Sequence, residues 1–219
     1  MLRSSNSSYA IAIAATVSLL QAAPLQAHPH VWATVRDAIV IKNNMITGVR
    51  HEWSFDENYS ASAIEGLDAN RDGKLDRSEL EGLAKTNIDG LKEFDYFTSA
   101  SIARLTILFD EPQDYWLDFD RDRLSLHFFL PLKKPIAIST PHVRISVDDP
   151  SYFIAFSFAE ADPVRFSDDA PAGCKAILAR PGENAASSPA VTSQSSQVLS
   201  SEDGNTIEIS CPSKTAPTK

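Results

Sequence analysis

The most specific chemistry in the sequence lies in the stretch DANRDGKLDRSE, which runs from Asp68 to Glu79. A calcium ion takes about six to eight oxygen ligands, and a twelve-residue loop supplies them from positions one, three, five, seven, nine and twelve. Here these positions hold Asp68, Asn70, Asp72, Lys74, Asp76 and Glu79. Lys74 fits this pattern because position seven contributes its backbone carbonyl oxygen. The spacing therefore predicts an EF-hand-like calcium loop.

Two further residues of this stretch agree with the pattern. Gly73 stands at position six, where the sharp turn needs a permissive backbone, and Leu75 at position eight offers an apolar anchor. The alternative is a polar connection between two helices that binds no ion. A second loop beginning at Asp118 fails, because Arg123 replaces the glycine and Phe129 replaces the glutamate. A single loop outside the cytoplasm predicts loose calcium binding with a structural role.

A second candidate site lies in the run HPHVW, where one proline separates His28 from His30. Two imidazoles and a free amine at His28 would offer the nitrogen donors that nickel, cobalt, copper and zinc accept. Such a start could also hold copper for oxidative chemistry. The structural alternative is a polar chain start that frays in water. The histidine pair leaves both a transition-metal site and a solvated terminus open.

The partner of these histidines depends on the register of a predicted hairpin with Asn43-Asn44 at its turn. A two-residue turn at this point pairs His51 with Arg36 and places Glu57 opposite His30. This register excludes His51 from the site and adds a carboxylate to it. The predicted transition-metal ligands are His28, His30 and Glu57.

Residues 1–27 are typical of a secretory signal peptide. Arg3 lies in a short polar start, an apolar run extends from Ala10 to Leu20, and small residues precede a cleavage point after Ala27. The apolar run is shorter than the ~20 residues needed to cross a bilayer, and no later segment comes closer. We therefore expect a periplasmic mature protein that begins at His28 and has no membrane span.

Charge and cysteine usage fit this compartment. Removing the signal takes the basic residues from 20 to 19 against 29 acids, so the net charge changes from −9 to −10. Such an acidic chain repels nucleic acid, which we exclude as a partner. Cys174 and Cys211 form an even pair, which predicts a disulfide in an exported protein.

The elements that position these sites alternate between strand and helix patterns. Strand patterns cover residues 31–41, 45–55, 102–109, 115–119, 124–130, 143–147, 152–158 and 206–210. Helical patterns occupy an insertion at about residues 57–98, with helices over Ala61–Leu67 and Arg77–Leu83 on either side of the calcium loop and Asn87 as the cap of a further helix. The predicted class is α+β, an antiparallel sheet or sandwich with an inserted EF-hand-like helix-loop-helix.

The predicted organisation is one domain over residues 28–180, a Ser-rich mobile loop over residues 181–205, and a final strand and tail over residues 206–219. The sequence contains no GxSxG elbow, phosphate-binding glycine loop, HExxH or dinucleotide fingerprint. We therefore predict no enzyme activity.

Four motifs together carry a resemblance to a known family. They are HPHVW, HEWSFDENYS from His51, the calcium loop, and DDPSYFIAFSF from Asp148. The chain resembles domain of unknown function 1007, a bacterial periplasmic family whose members are labelled the periplasmic component of an ABC-type transport system. The resemblance implies a role in periplasmic metal handling, since members are commonly encoded beside or fused to nickel and cobalt transporters.

The motifs and the resemblance predict a periplasmic calcium-binding accessory protein of nickel- or cobalt-type transport, with an inner-membrane metal transporter as partner. The alternative is a calcium-stapled interaction module without a transition-metal role.

Overall fold

The computed structural model describes residues 30–180 and 205–212. In these residues the chain forms two β-sheets whose buried side chains contribute to one hydrophobic core. The predicted signal peptide, His28, the Ser-rich segment over residues 181–204 and the tail over residues 213–219 lie outside the described residues.

The first sheet has six strands: β1 (Val31–Lys42), β2 (Met45–Phe55), β5 (Gln113–Asp120), β6 (Arg123–Ala137), β8 (Ile154–Phe158) and β9 (Val164–Phe166). The second sheet has five: β3 (Thr98–Ile102), β4 (Leu105–Ile107), β7 (Val143–Val147), β10 (Lys175–Ala179) and β11 (Asn205–Ser210). In the first sheet the strand order is β5-β6-β2-β1-β8, and β9 also pairs with β1. In the second sheet the strand order is β10-β11-β7-β3-β4. The fold is thus a sheet-rich α+β arrangement.

The directions of the strands differ in part from the prediction. Neighbours are antiparallel except that β8 and β9 both run parallel to β1. The chain reaches β8 from β7 in the other sheet, so no tight hairpin fixes the direction in which it returns. The expected purely antiparallel sheet is therefore wrong at this edge, and the sheet is mixed.

Strand side chains alternate between the core and the outer face. In β1 and β2, Val35, Ile39, Val49 and Trp53 are fully buried, while alternate residues such as Arg36 and Glu52 are partly exposed. This period of two follows from the pleat of a strand, which points successive side chains to opposite faces. The outer face of the first sheet is consequently polar.

The inserted helices lie between β2 and β3, within the expected residues. Helix α1 (Glu57–Ala63) begins after Asp56, whose carboxylate accepts from the amides of Asn58 and Tyr59. Helix α2 (Arg77–Leu91) packs against β5 and buries Leu80, Ala84 and Ile88. These apolar residues recur every four positions, which places them on one face of the helix.

The helix boundaries differ from those expected. Helix α1 ends at Ala63, short of the predicted Leu67, and Gly66 follows with a φ of 79°. Asn87 caps no helix, because it lies inside α2. Its side-chain amide donates to the Leu83 backbone carbonyl at 3.1 Å. A 3-10 segment over Lys92–Phe97 then turns the chain into β3 through three residues of positive φ.

The hairpin register is displaced by a β-bulge. Lys42 faces Met45 as predicted, but the pairing shifts between Val40 and Ile41, and beyond this point His51 faces Asp37 rather than Arg36. One extra residue on β2 causes the slip. Glu57 does not lie opposite His30, because β2 ends at Phe55 and Glu57 belongs to α1.

Candidate functional site

The Asp68 loop connects α1 to α2 and is mostly exposed. Gly73 has a φ of 78°, the left-handed conformation that glycine adopts readily, so the turn forms where the pattern required it. Leu75 is half-buried and packs against the core. Helix α2 begins inside the loop, since Arg77 is its first residue.

Backbone amides bind the oxygens of the predicted calcium ligands. Asp68 accepts from the amides of Asp72 and Gly73 at 3.2 and 3.0 Å. Glu79 accepts from Ala69 at 2.9 Å and, through its other oxygen, from Asp76 at 3.2 Å. Two shorter bonds close the turn: the Asp72 amide donates to the Asn70 side-chain oxygen and the Lys74 amide donates to the Asp72 carboxylate, both at 2.8 Å. These contacts hold the loop folded by its own side-chain oxygens.

Asp76 caps α2 and completes a capping box with Glu79. The Ser78 hydroxyl and the Glu79 and Ser78 amides donate to its carboxylate, which lowers the pKa of Asp76 below its ordinary 3.8. The capping carboxylate is therefore charged at neutral pH.

Among the residues that the structure describes, no three His, Cys, Asp or Glu side chains lie close enough together to hold a metal ion.

A stack of side chains joins the loop to the first sheet. The Arg77 guanidinium carbon lies 4.7 Å from the Trp116 ring centroid. Trp116 stacks in turn on His127, with ring centroids 4.8 Å apart and planes 7° apart. His127 Nε2 lies 2.7 Å from an Asp118 carboxylate oxygen. We call these four residues the Trp116 stack. The sequence pattern predicted Arg77 only as the start of a helix and placed Asp118 only in the rejected second loop.

The far end of the Trp116 stack opens into a polar groove on the outer face of the first sheet. The groove has a volume of about 460 Å³, and Thr34, Ser54, Ser125, Asp118, His127 and Arg123 contribute to its lining. Strand pairing builds it, because Thr34, Ser54, Ser125 and Asp118 face one another in a row across four strands. The Ser54 and Ser125 hydroxyls are 2.8 Å apart.

His30, the described member of the histidine pair, lies beside a group of exposed aromatic rings. Its ring centroid is 5.3 Å from that of Phe153, and its amide donates to the Phe153 carbonyl at 2.9 Å. Trp32, Tyr152 and Phe153 are 53%, 69% and 53% exposed. We call these three residues the aromatic surface. Glu57 lies on α1 and pairs with Arg123 at 3.4 Å instead.

Asp149 holds the loop that carries two of these rings. One carboxylate oxygen accepts from the Ser151 amide and hydroxyl, and the other accepts from the Phe153 and Ile154 amides. Burial tends to raise the pKa of Asp149, but these hydrogen bonds outweigh burial and hold the pKa below its ordinary 3.8. Tyr152 has a φ of 58°, which a bulky residue rarely adopts. The aromatic surface is therefore held by a tightly bonded and strained loop.

A histidine and an aspartate are buried together between the sheets. His51 Nδ1 lies 2.7 Å from Asp37 Oδ1, and both side chains are fully buried. His51 Nε2 lies 3.3 Å from the hydroxyl of Thr98 on the second sheet. The Trp53 and Phe128 rings contact the imidazole. The Thr98 hydroxyl, the His51 imidazole and the Asp37 carboxylate follow one another in the order of a catalytic triad. The His51 and Asp37 side chains are fully buried, however, so no substrate can reach them in this conformation.

A disulfide joins Cys174 to Cys211, as predicted, with Cα atoms 4.0 Å apart. It connects the ends of the paired strands β10 and β11. A disulfide is typical of proteins in oxidising compartments outside the cytoplasm. Within residues 30–180 and 205–212, the helices are too short or too polar to cross a membrane.

Comparison with known proteins gives matches to proteins without an assigned activity. The chain is 26% identical to an uncharacterized protein of Haemophilus influenzae over 141 residues, which are 64% of this chain and 68% of the relative. It is 30% identical over 115 residues to an uncharacterized 15.5 kDa protein of Spirochaeta aurantia, described by its position in the trpE 3' region; the match covers 52% of this chain and 81% of that protein.

A family model matches residues 13–214, which include both sheets, the Asp68 loop and the aromatic surface. The expected resemblance is confirmed over nearly the whole chain. The protein therefore belongs to DUF1007, a family of proteins of unknown function.

Proposed function

We propose that this protein is an extracytoplasmic calcium-binding accessory protein in which the Asp68 loop holds one ion as a structural staple. The observation that carries the proposal is the match of six ligand positions and one glycine to the calcium-loop pattern, together with the left-handed turn at Gly73. The side chains of Asp68, Asn70, Asp72, Asp76 and Glu79 and the carbonyl of Lys74 would supply the ligands. All are oxygens, the donors that calcium prefers.

Calcium would replace the backbone amides as the partner of several carboxylates. In its absence the loop depends on hydrogen bonds that water can replace, since most of its residues are exposed. An ion that binds only the folded state stabilises it by an amount that grows with the logarithm of the ion concentration, about 2.7 kcal/mol when free calcium exceeds its dissociation constant 100-fold. This predicts a melting temperature roughly 5 to 10 °C higher in calcium than in chelator.

The test is thermal unfolding of the protein in calcium and in chelator, compared with Asp68→Ala and Glu79→Ala. Each variant should melt at a lower temperature in calcium and lose the response to chelator. Asp169→Ala, which removes an exposed carboxylate outside the loop, is the control and should respond like the parent. An equal chelator response in the loop variants and the parent would contradict calcium binding by this loop.

A second candidate function is transition-metal handling, as an accessory to an inner-membrane nickel- or cobalt-type transporter. It is favoured by the exposed position of His30, next to the predicted mature start and the aromatic surface. His28 and His30 would bind nickel, cobalt, copper or zinc, and the aromatic surface would contact the transporter. The competing function is a calcium-stapled interaction module that binds no transition metal.

Titration of the mature protein with each metal distinguishes these two functions. We expect binding that weakens in His28→Ala and His30→Ala but not in His142→Ala, since His142 is an exposed histidine in the turn before β7. If the parent binds these metals no more tightly than the His28→Ala/His30→Ala double variant, the transition-metal function is wrong. The interaction module is then the function that remains. We propose no catalytic role for the Asp37–His51 pair, because both side chains are enclosed in the core.

A further inference from the structure

We propose that the calcium loop controls the polar groove on the outer face of the first sheet, through the Trp116 stack. This inference rests on the proposed calcium binding and assigns a regulatory role to the same loop. The stack consists of Arg77, Trp116, His127 and Asp118, and each neighbouring pair is in contact.

The loop end of the stack is Arg77, which is both the first residue of α2 and position ten of the calcium loop. Position ten is not a ligand position, so its side chain is available for another contact. The neighbouring positions nine and twelve, Asp76 and Glu79, are predicted ligands, and their carboxylates also form the capping box of α2. A change in the ligands therefore moves the first turn of α2, and Arg77 with it.

The middle of the stack is rigid enough to transmit such a change. The Arg77 guanidinium lies over the face of Trp116, where the negative face of the ring attracts a cation. Trp116 and His127 lie directly opposite each other on β5 and β6, so the pairing of the strands keeps their rings in contact. The His127 side chain is 16% exposed, which leaves it little freedom to move independently of Trp116.

The groove end of the stack is the pair His127 and Asp118, which forms part of the groove lining. The hydrogen bond between them fixes the direction of both polar groups. If Arg77 leaves the ring, Trp116 and His127 gain freedom, and the Asp118 carboxylate loses its fixed partner. Calcium in the loop thus orders the groove, and loss of calcium loosens it.

A second arginine lies on the same side of the sheet but is independent of the loop. Arg50 belongs to β2, and its guanidinium carbon lies 6.0 Å from the Trp116 ring and 5.5 Å from the Phe129 ring. It also pairs with Asp114 at 3.4 Å. Because a strand positions Arg50, its contact should persist without calcium. Any change at the Trp116 ring that depends on calcium is therefore assigned to Arg77 alone.

The experiment measures calcium binding by calorimetry and tryptophan emission in the same samples. The parent should show a calcium-dependent change in emission that disappears in Trp116→Phe and persists in Trp32→Phe. Arg77→Gln should bind calcium within about threefold of the parent but lose most of the emission change. Arg71→Gln is the matched control, because it removes the same charge from a non-ligand position of the same loop. Circular dichroism confirms that each variant is folded.

A second measurement follows the groove itself. The imidazole resonances of His127, identified by their absence in His127→Gln, should shift on addition of calcium in the parent and in Arg71→Gln but not in Arg77→Gln. The resonances of His142 should not move in any of these proteins. The coupling would be overturned if the parent bound calcium without a change at Trp116 or His127, or if the change were undiminished in Arg77→Gln. Either result would leave the proposed calcium binding in place. A parent that binds no calcium would overturn the proposed function and the coupling together.

Discussion

At the scale of single residues, Asp149 shows how one carboxylate can hold a surface in place. Its two oxygens accept four hydrogen bonds, and these bonds fix a loop that exposes Tyr152 and Phe153 to solvent. Large aromatic rings exposed on a strained, well-bonded loop are more typical of contact surfaces than of loops that merely connect strands.

Asp149→Asn should destabilise the protein by about 1 to 3 kcal/mol near neutral pH. The asparagine NH2 group would face the Phe153 and Ile154 amides, so donors would oppose donors. The pKa of Asp149 is lower in the folded protein than its ordinary 3.8, so its stabilisation is present above that value and lost as the pH falls through the folded pKa. Denaturant unfolding of parent and variant should differ most near neutral pH and least well below pH 3.8. A difference that is independent of pH would contradict this assignment.

The Asp37–His51 pair belongs to the same scale. Removing one member leaves the other buried without its hydrogen-bond partner, which costs about 1 to 3 kcal/mol. We therefore expect Asp37→Val and His51→Phe each to be destabilised in denaturant unfolding. The double variant Asp37→Val/His51→Phe should lose less than the sum of the single changes, because no unpaired polar group remains. Additive losses in this double-mutant cycle would show that the two side chains act independently.

At the scale of elements, a bulge in the hairpin decides which side chains face the core. The shift between Val40 and Ile41 pairs His51 with Asp37 and places both on the buried face. Gly48 lies at the edge of this irregularity, where β2 approaches β6. A Cβ on Gly48 would stand 2.4 Å from the Leu130 carbonyl oxygen and 2.7 Å from the Phe129 ring.

Gly48→Ala should therefore destabilise the protein by about 1 to 3 kcal/mol, since the backbone of β6 would have to move. Gly82 provides a matched comparison, because it lies within α2 and a Cβ there would meet no atom within 4 Å. Gly82→Ala should stabilise the protein by up to about 1 kcal/mol, as alanine restricts the unfolded chain and favours helix. Equal melting temperatures for the two variants would refute the predicted close approach at Gly48.

At the scale of the whole molecule, the disulfide limits the freedom of the unfolded chain. It closes an interval of 37 residues, for which the loop-entropy relation gives about 3.8 kcal/mol as an upper figure. The replacement of both cysteines, Cys174→Ser/Cys211→Ser, should lower the free energy of unfolding by about 2 to 4 kcal/mol. The parent in reducing buffer should show the same loss in denaturant titrations. A reduced parent as stable as the oxidised protein would contradict this account.

The sequence by itself determined the features that depend on local spacing. Local patterns fix the chain limits of β2 and β7, the position of the helical insertion between β2 and β3, and the left-handed turn at Gly73. These patterns are strand alternation, helical spacing of apolar residues and a single glycine. The pairing of Cys174 with Cys211 also followed, because two cysteines allow one connectivity. The family membership could be read from short motifs near both ends of the domain.

Only the tertiary structure decided features that depend on residues far apart in the chain. The bulge that moves His51 opposite Asp37, the parallel return of β8 beside β1, and the contact of Arg77 with Trp116 leave no periodic trace in the sequence. The short strands β9 and β10 were missed because their patterns are too brief to exceed loop composition. Local conformational preference sets spacing within an element, whereas register and sheet order depend on packing between elements.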